Sequence, residues 1–112
     1  MKKIEAIIRP ERVSIVRKAL EETGYPGITI TDVRGHGAQR GSRQHYRGTE
    51  FVVDILHKTK LELVVADEVV DKIVKVITDN AKTGEVGDGK IFISTIDEVV
   101  RVRTGETGEK AM

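Results

Sequence analysis

The 112-residue chain is long enough for one two-layer domain with a buried core and too short for a second independent one, so a larger ligand cleft is expected to need another subunit. Nineteen Lys and Arg stand against eighteen Asp and Glu, a formal net charge of +1, which excludes the strong positive field that most nucleic-acid binders carry. Without Cys, disulfides, thiolate catalysis and cysteine metal sites are excluded together, and a reducing compartment is compatible.

The chain opens Met1-Lys2-Lys3-Ile4-Glu5, reaching charge before any apolar stretch of signal-peptide length, and no later run is long enough to span a bilayer; a cytoplasmic location is expected. Lys3–Arg9 alternates, with Ile4, Ala6 and Ile8 on one face and Ile7 on the other, and predicts a strand closed by Pro10. A helix follows from Glu11, its apolar stripe formed by Val13, Val16, Ala19 and Leu20, with Gly24 as the stop and Pro26 just beyond. Ile28–Val33 alternates again with β-branched residues and predicts a second strand running into Gly35-His36-Gly37. Phe51–Ala66 is β-prone throughout, with Leu61, Leu63 and Val65 on one face. Asp67 is placed to cap a helix from Glu68 to Ala81 with Val70, Ile73, Val74 and Ile77 as its stripe. Beyond a glycine-rich stretch, Ile91–Ile96 predicts a fourth strand and Val99–Arg103 a short fifth extended piece.

Two consecutive βαβ units in one short chain predict an α+β fold of the ferredoxin-like, double βαβ sandwich type, residues 1–112 forming one domain with both helices on one face of the sheet. Ile7, Val64, Phe92 and Ile96 fall on the other face, which is therefore expected to be apolar and covered by self-association.

Three segments do not serve the core. His36–Glu50, HGAQRGSRQHYRGTE, holds three glycines and three arginines with almost no aliphatic residue, and residues 36–55 read as a long flexible loop whose ordering needs a ligand or partner. Arg40, Arg43 and Arg47 interleaved with His45 and Tyr46 also suit RNA, which the near-neutral net charge opposes. In residues 82–90, TGEVGDGK (Thr83–Lys90) has two readings: glycines that let backbone N–H groups converge on a phosphate beside Lys90, or Gly84 as a helix C-cap and Gly87-Asp88-Gly89 as a tight turn. In the C-terminal segment, residues 101–112, Arg101 and Arg103 share one face of an extended piece, suiting a polyphosphate or guarding a solvated edge. The three histidines, His36, His45 and His57, assemble no Ser-His-Asp set and no zinc pattern, and read as surface residues.

Taken together, KKIEAIIRPERV at the start, the glycines and QRG of Gly35–Gly41, YRGTEF at Tyr46–Phe51, KTKLELVV at Lys58–Val65, TGEVGDGKIFI at Thr83–Ile93 and VRVRTGE at Val100–Glu106 resemble the PII nitrogen-regulatory signal proteins almost end to end. The resemblance implies a homotrimer, with ATP or ADP in each cleft between neighbours and 2-oxoglutarate joining ATP through Mg²⁺. It also implies that Gly87, Asp88, Gly89 and Lys90 hold phosphates with Arg101 and Arg103, and that Ile7, Thr29, Gly35 and Val64 line the adenosine pocket. Gln39 would bind Mg²⁺ through its amide oxygen, and Lys58 would pair with a 2-oxoglutarate carboxylate, helped by backbone at Gly37, Arg40 and Gly41.

In such proteins the long loop docks into partners. Arg40, Arg43, Tyr46, Arg47 and Thr49 would then form the docking surface, with an ammonium transporter as the expected partner and glutamine synthetase or nitrogenase regulation as others. Nucleic acid is not expected, and membrane contact only through a partner. Phe51 stands where many relatives carry a modifiable tyrosine, so uridylylation there is excluded for want of a phenol oxygen. Thr49 stands where some carry a phosphorylated serine, and Ala38 where an arginine often helps with the phosphates, which bears on affinity and on the preference for ATP over ADP. A non-enzymatic binding module is expected; the alternatives are an ATP-using enzyme on the same cleft and an RNA-binding ferredoxin-like domain.

Overall fold

Alternation decides the first element: in β1 (Lys2–Ile8) the side chains of Ile4, Ala6 and Ile8 are buried, while Lys3, Glu5 and Ile7 turn to the opposite face. The computed structural model describes residues 1–25, 27–36, 43–46, 49–52 and 55–112. Pro10 has no N–H to continue a ladder; it starts a 3₁₀ turn, Pro10–Arg12, that feeds α1 (Val13–Glu22). The helix buries Val16 and Leu20 and stops where Gly24 takes a φ of +88°.

β2 (Thr29–Gly35) follows, and then a separate two-stranded ribbon of β3 (Arg43–Tyr46) and β4 (Thr49–Val52), paired antiparallel from Arg43 opposite Val52 to Tyr46 opposite Thr49. The main sheet continues with β5 (Leu56–Val65), and after α2 (Val70–Ala81) it closes with β6 (Gly89–Thr95). Its order is β2-β5-β1-β6 with every neighbour antiparallel. Each βαβ crossover skips one strand, which is the ferredoxin-like arrangement expected from two βαβ units.

The two helices lie on one face. Val16 and Leu20 of α1 and Ile73 and Ile77 of α2 meet Ile4, Ala6 and Ile8 of β1 and Leu61, Leu63 and Val65 of β5 in one cluster. Burying each such aliphatic side chain stabilises the fold by about 1.5–3 kcal/mol. Polar ties lock the helix pair: Arg12 Nε and Nη2 donate to the Asn80 carbonyl at 3.0 and 2.7 Å, setting a cation at the C-terminal end of α2 where the helix dipole favours it.

Four expectations change. Phe51–Ala66 is not one strand: β4 ends at Val52 and β5 begins at Leu56, because strand propensity is local while pairing is not, and Thr49–Val52 pairs with Arg43–Tyr46 instead. Residues 43–46 and 49–52 of the expected flexible loop thus form a two-stranded ribbon. Asp67 makes no cap; it opens a 3₁₀ turn, Asp67–Val69, and its carboxylate meets the Met1 amino nitrogen at 2.9 Å. Val99–Arg103 is no strand: Val100 forms a single bridge with Thr107, and the chain reverses, with the Gly105 N–H donating to the Arg101 carbonyl and the Arg101 N–H to the Glu106 carbonyl, both at 2.8 Å.

The helix-free face differs too. Ile7, Val64 and the exposed Phe92 share it with half-buried charges, Lys3 paired with Glu5 at 2.7 Å and Lys60 with Glu62 at 3.0 Å. Cross-strand register puts these ions side by side, so the surface is mixed rather than continuously apolar.

Leu61→Ala should lower stability by about 2–5 kcal/mol in urea titrations, since it opens a cavity at the centre of the cluster, whereas Val102→Ala, fully exposed, should change it by less than about 0.5 kcal/mol.

Candidate functional site

The segment after α2 is organised by one carboxylate. Lys82 leaves the helix in extended conformation, and Gly84, Gly87 and Gly89 then take φ values of +90°, +100° and +110°, a backbone path that other residues resist. Gly84 is therefore a loop residue and not the helix cap. Asp88 Oδ2 accepts the N–H groups of Thr83 and Gly84, both at 2.9 Å, while Oδ1 accepts the Thr83 hydroxyl and Arg9 Nε, the latter at 3.1 Å. The Thr83 hydroxyl and N–H, then Arg9 and the Gly84 N–H, hold the Asp88 carboxyl far below the usual carboxylate range.

Two cations grip the loop backbone. Arg9 Nη2 donates to the Val86 carbonyl at 2.8 Å, and Lys58 Nζ donates to the Gly87 carbonyl. Lys58 comes from β5, the strand paired with β1, so the sheet itself sets it beside the glycine loop. Burial lowers the Lys58 pKa, and the positive charge of Arg9 lowers it further; a negative charge beside Lys58 would act in the opposite direction. Gly89 is where backbone approaches backbone, since a Cβ there would fall onto the Ile7 carbonyl.

These parts enclose a cleft of about 490 Å³, whose wall includes Ile7, Gly35, Lys58, Gly87, Gly89 and Lys90. Chemically it pairs backbone and side-chain donors for an anion with an apolar flank of Ile7, Leu56, Val86 and Phe92. Of the residues singled out from sequence, those six meet here. Asp88 does not line the cleft; it faces into its own loop.

Thr29, Val64, Arg101 and Arg103 do not join it. Thr29 and Gly35 occupy opposite ends of β2, about 20 Å apart at the usual strand rise. Val64 sits opposite Lys3, at the far end of β1 from Ile7. Arg101 turns to the chain's own end, donating to the carbonyls of Lys110 at 3.2 Å and Met112 at 3.4 Å, with Glu106 at 3.5 Å. Arg103 is exposed in the reversal. The two guanidinium groups thus do not share the face of an extended piece. Gly37, Ala38, Gln39, Arg40, Gly41 and Arg47 lie outside the described residues, while Arg43, Tyr46, Thr49 and Phe51 stand on the β3–β4 ribbon.

Sequence reasoning missed Arg9 and Thr83, which organise the loop, and His36, which lines the cleft. Arg9 carried one signal: it stands between the end of β1 and Pro10, where the chain leaves the sheet.

Fold and cleft define a small ferredoxin-like protein with a glycine loop flanked by cations at one end of its sheet. The family model for nitrogen regulatory protein P-II matches residues 1–106. Nitrogen regulatory protein P-II 2 of Methanothermobacter thermautotrophicus is 56% identical over 112 residues, covering 100% of this chain and 97% of that one. Nitrogen regulatory protein P-II of Rhizobium meliloti is 52% identical, covering 100% of both. The crystal structure of Arabidopsis thaliana PII bound to citrate superposes with a TM-score of 0.82 at 41% identity, over 99% of this chain and 91% of that one. The chain belongs to the P-II nitrogen regulatory protein family, whose members are regulatory signal proteins. No helix among the described residues is long and apolar enough to cross a membrane.

Two outcomes test the loop. Gly89→Ala should destabilise the fold by more than about 1 kcal/mol in thermal or urea melts, because both the positive φ and the Ile7 carbonyl oppose a side chain. Asp88, its folded pKa depressed, contributes stability that is fully present above the ordinary aspartate value of 3.8 and is lost as pH falls below it. Urea midpoints followed from neutral pH into acid should fall more steeply for the parent protein than for Asp88→Asn, which has no proton to take up there.

Proposed function

We propose that this protein reads adenine nucleotide and 2-oxoglutarate as a nitrogen-status signal and passes the reading to partners through residues 36–55. The observation that carries it is the meeting of Lys58 and the glycine loop at one residue, Gly87, whose carbonyl takes the Lys58 ammonium. A dicarboxylate that draws Lys58 to itself releases the same loop whose N–H groups suit a polyphosphate, so the two ligands act on one element. That the Arabidopsis relative was solved bound to citrate supports a carboxylate effector.

Gly87, Gly89 and Lys90 take phosphates, and Ile7 and Gly35 take one side of the adenosine. Thr29 and Val64, at the opposite end of the sheet, and Arg101 and Arg103, beyond β6, serve the cleft of an adjacent copy, which makes the working unit a closed ring, here a homotrimer. The Asp88 carboxylate serves the loop, which leaves its backbone N–H for the phosphates. Magnesium, a hard cation that keeps near-octahedral oxygen coordination, suits the nucleotide phosphates and the amide oxygen of Gln39. The backbone donors and cations of the cleft fit such a phosphate group without further protein carboxylates. Gly37, Arg40 and Gly41 complete the 2-oxoglutarate site, and Ala38 offers no charge to the phosphates.

The protein acts as a binding module at the cytoplasmic side. The β3–β4 ribbon, with Arg43, Tyr46 and Thr49 on its strands and Arg47 between them, is the docking element. An ammonium transporter is the partner proposed first, glutamine synthetase or nitrogenase regulation next. Steady ATP turnover by the purified protein would return the enzyme alternative.

Calorimetry should find 2-oxoglutarate binding only in the presence of ATP and Mg²⁺. Lys58→Ala should weaken 2-oxoglutarate by at least about tenfold, or ~1.4 kcal/mol, while leaving ATP within about threefold. Sedimentation should give a three-copy particle. Native membranes should retain an ammonium transporter on the protein with ADP and lose it with MgATP plus 2-oxoglutarate; retention under both conditions would reject the switch.

A further inference from the structure

Asp88 and Arg9 both sit behind the glycine loop, since the cleft is lined by Val86, Gly87, Gly89 and Lys90 but by neither of them. Resting on the nucleotide reading above, we infer that the Asp88 carboxylate is the positioning group of the phosphate site, acting through Arg9 and Thr83 and not itself touching the phosphates. Both of its oxygens are taken: Oδ2 by the N–H groups of Thr83 and Gly84, Oδ1 by the Thr83 hydroxyl and by Arg9 Nε. A carboxylate so engaged has little capacity left for a cation that arrives with a nucleotide.

The consequence passes along the backbone. In a trans peptide the carbonyl and the next N–H point in opposite directions. The ion pair with Asp88 sets Arg9 where its second nitrogen draws the Val86 carbonyl at 2.8 Å, so the Gly87 N–H is turned away from Arg9. Gly87 lines the cleft and Arg9 does not, so an N–H turned away from Arg9 is left free of it to serve a ligand there. The Thr83 and Gly84 contacts close the start of the loop on Asp88 over four and five residues, which keeps the peptide from turning over. The loop is thereby built for an anion before one arrives, which removes an ordering entropy from binding.

This role makes a prediction of sign. Removing a negative charge near a polyphosphate should, by Coulomb attraction alone, tighten binding. Removing a positioning group should weaken it. Only one of these can hold for Asp88→Asn, which keeps the side chain's shape and abolishes its charge.

The experiment compares ATP and adenosine on the parent protein, Asp88→Asn, Thr83→Ala and Thr83→Ser, by calorimetry for ATP and ligand-observed NMR competition for adenosine. Expected is an ATP affinity lower by about tenfold or more in Asp88→Asn with adenosine within about twofold, a smaller ATP loss in Thr83→Ala, and recovery in Thr83→Ser, whose hydroxyl reaches the same oxygen. Unchanged or tighter ATP binding in Asp88→Asn overturns the inference, as does an equal fall for ATP and adenosine, which would mark a general loss of fold. Should Asp88→Asn not fold, the Thr83 pair decides alone: equal ATP affinity in Thr83→Ala and Thr83→Ser overturns it. Absence of ATP binding by the parent protein would overturn the nucleotide reading itself, and this inference with it.

Discussion

β1 is paired on both edges, and the register of its last residues determines where everything else in the site can be. Ile7 stands opposite Lys60 on β5 and Lys90 on β6, and Ile8 stands opposite Thr59 and Gly89. A one-residue slip on either side would turn Lys58 or Lys90 to the helix face and bury a charge in the aliphatic cluster, so the hydrophobic pattern enforces the register strongly. The close approach of Gly89 to the Ile7 carbonyl depends on the same alignment. From it come the two ends of the cleft: a lysine from the middle of the sheet and a glycine loop that enters β6 against the end of β1.

The loop is an electrostatic arrangement more than an apolar one. Arg9 and Lys58 bring two positive charges to the carbonyls of Val86 and Gly87, and Asp88 compensates the first of them from behind. Lys58 retains the unfavourable environment, half withdrawn from water and close to Arg9, and this is the feature that most invites an anion. The helix-free face carries the same logic at lower stakes: Lys3, Glu5, Lys60 and Glu62 form a ladder between Ile7, Val64 and Phe92. Such a mixed surface suits contact with another copy in which the charges stay paired, and it places the proposed adenosine residues on strands rather than on loops.

Much of this was legible in the residues. The 2-residue alternation of Ile4, Ala6 and Ile8 and of Leu61, Leu63 and Val65, and the helical spacing of Val16, Leu20, Ile73 and Ile77, specify which side chains go inside, because burial depends on periodicity that the chain carries locally. The glycines of residues 84–89 likewise announce positive φ. The ribbon was not legible, since β-propensity in Thr49–Val52 does not name a partner, and neither was the reversal at Val102–Thr104, which rests on Arg101 bonding its own downstream backbone.

The sequence by itself determined the fold class, the core and the chemical character of the site: glycines able to open the backbone, with Lys58 and Lys90 to meet an anion. Tertiary structure alone decided how those residues divide the labour. Asp88 reads as a phosphate-loop residue by position, yet its carboxylate faces Arg9, from a strand end 79 residues earlier. Thr29 and Val64 read as neighbours of Ile7 and Gly35, yet the antiparallel sheet carries them to its other end. In both cases the reason is direction, because the sequence order of polar groups says which are available but only the folded path says where each one points.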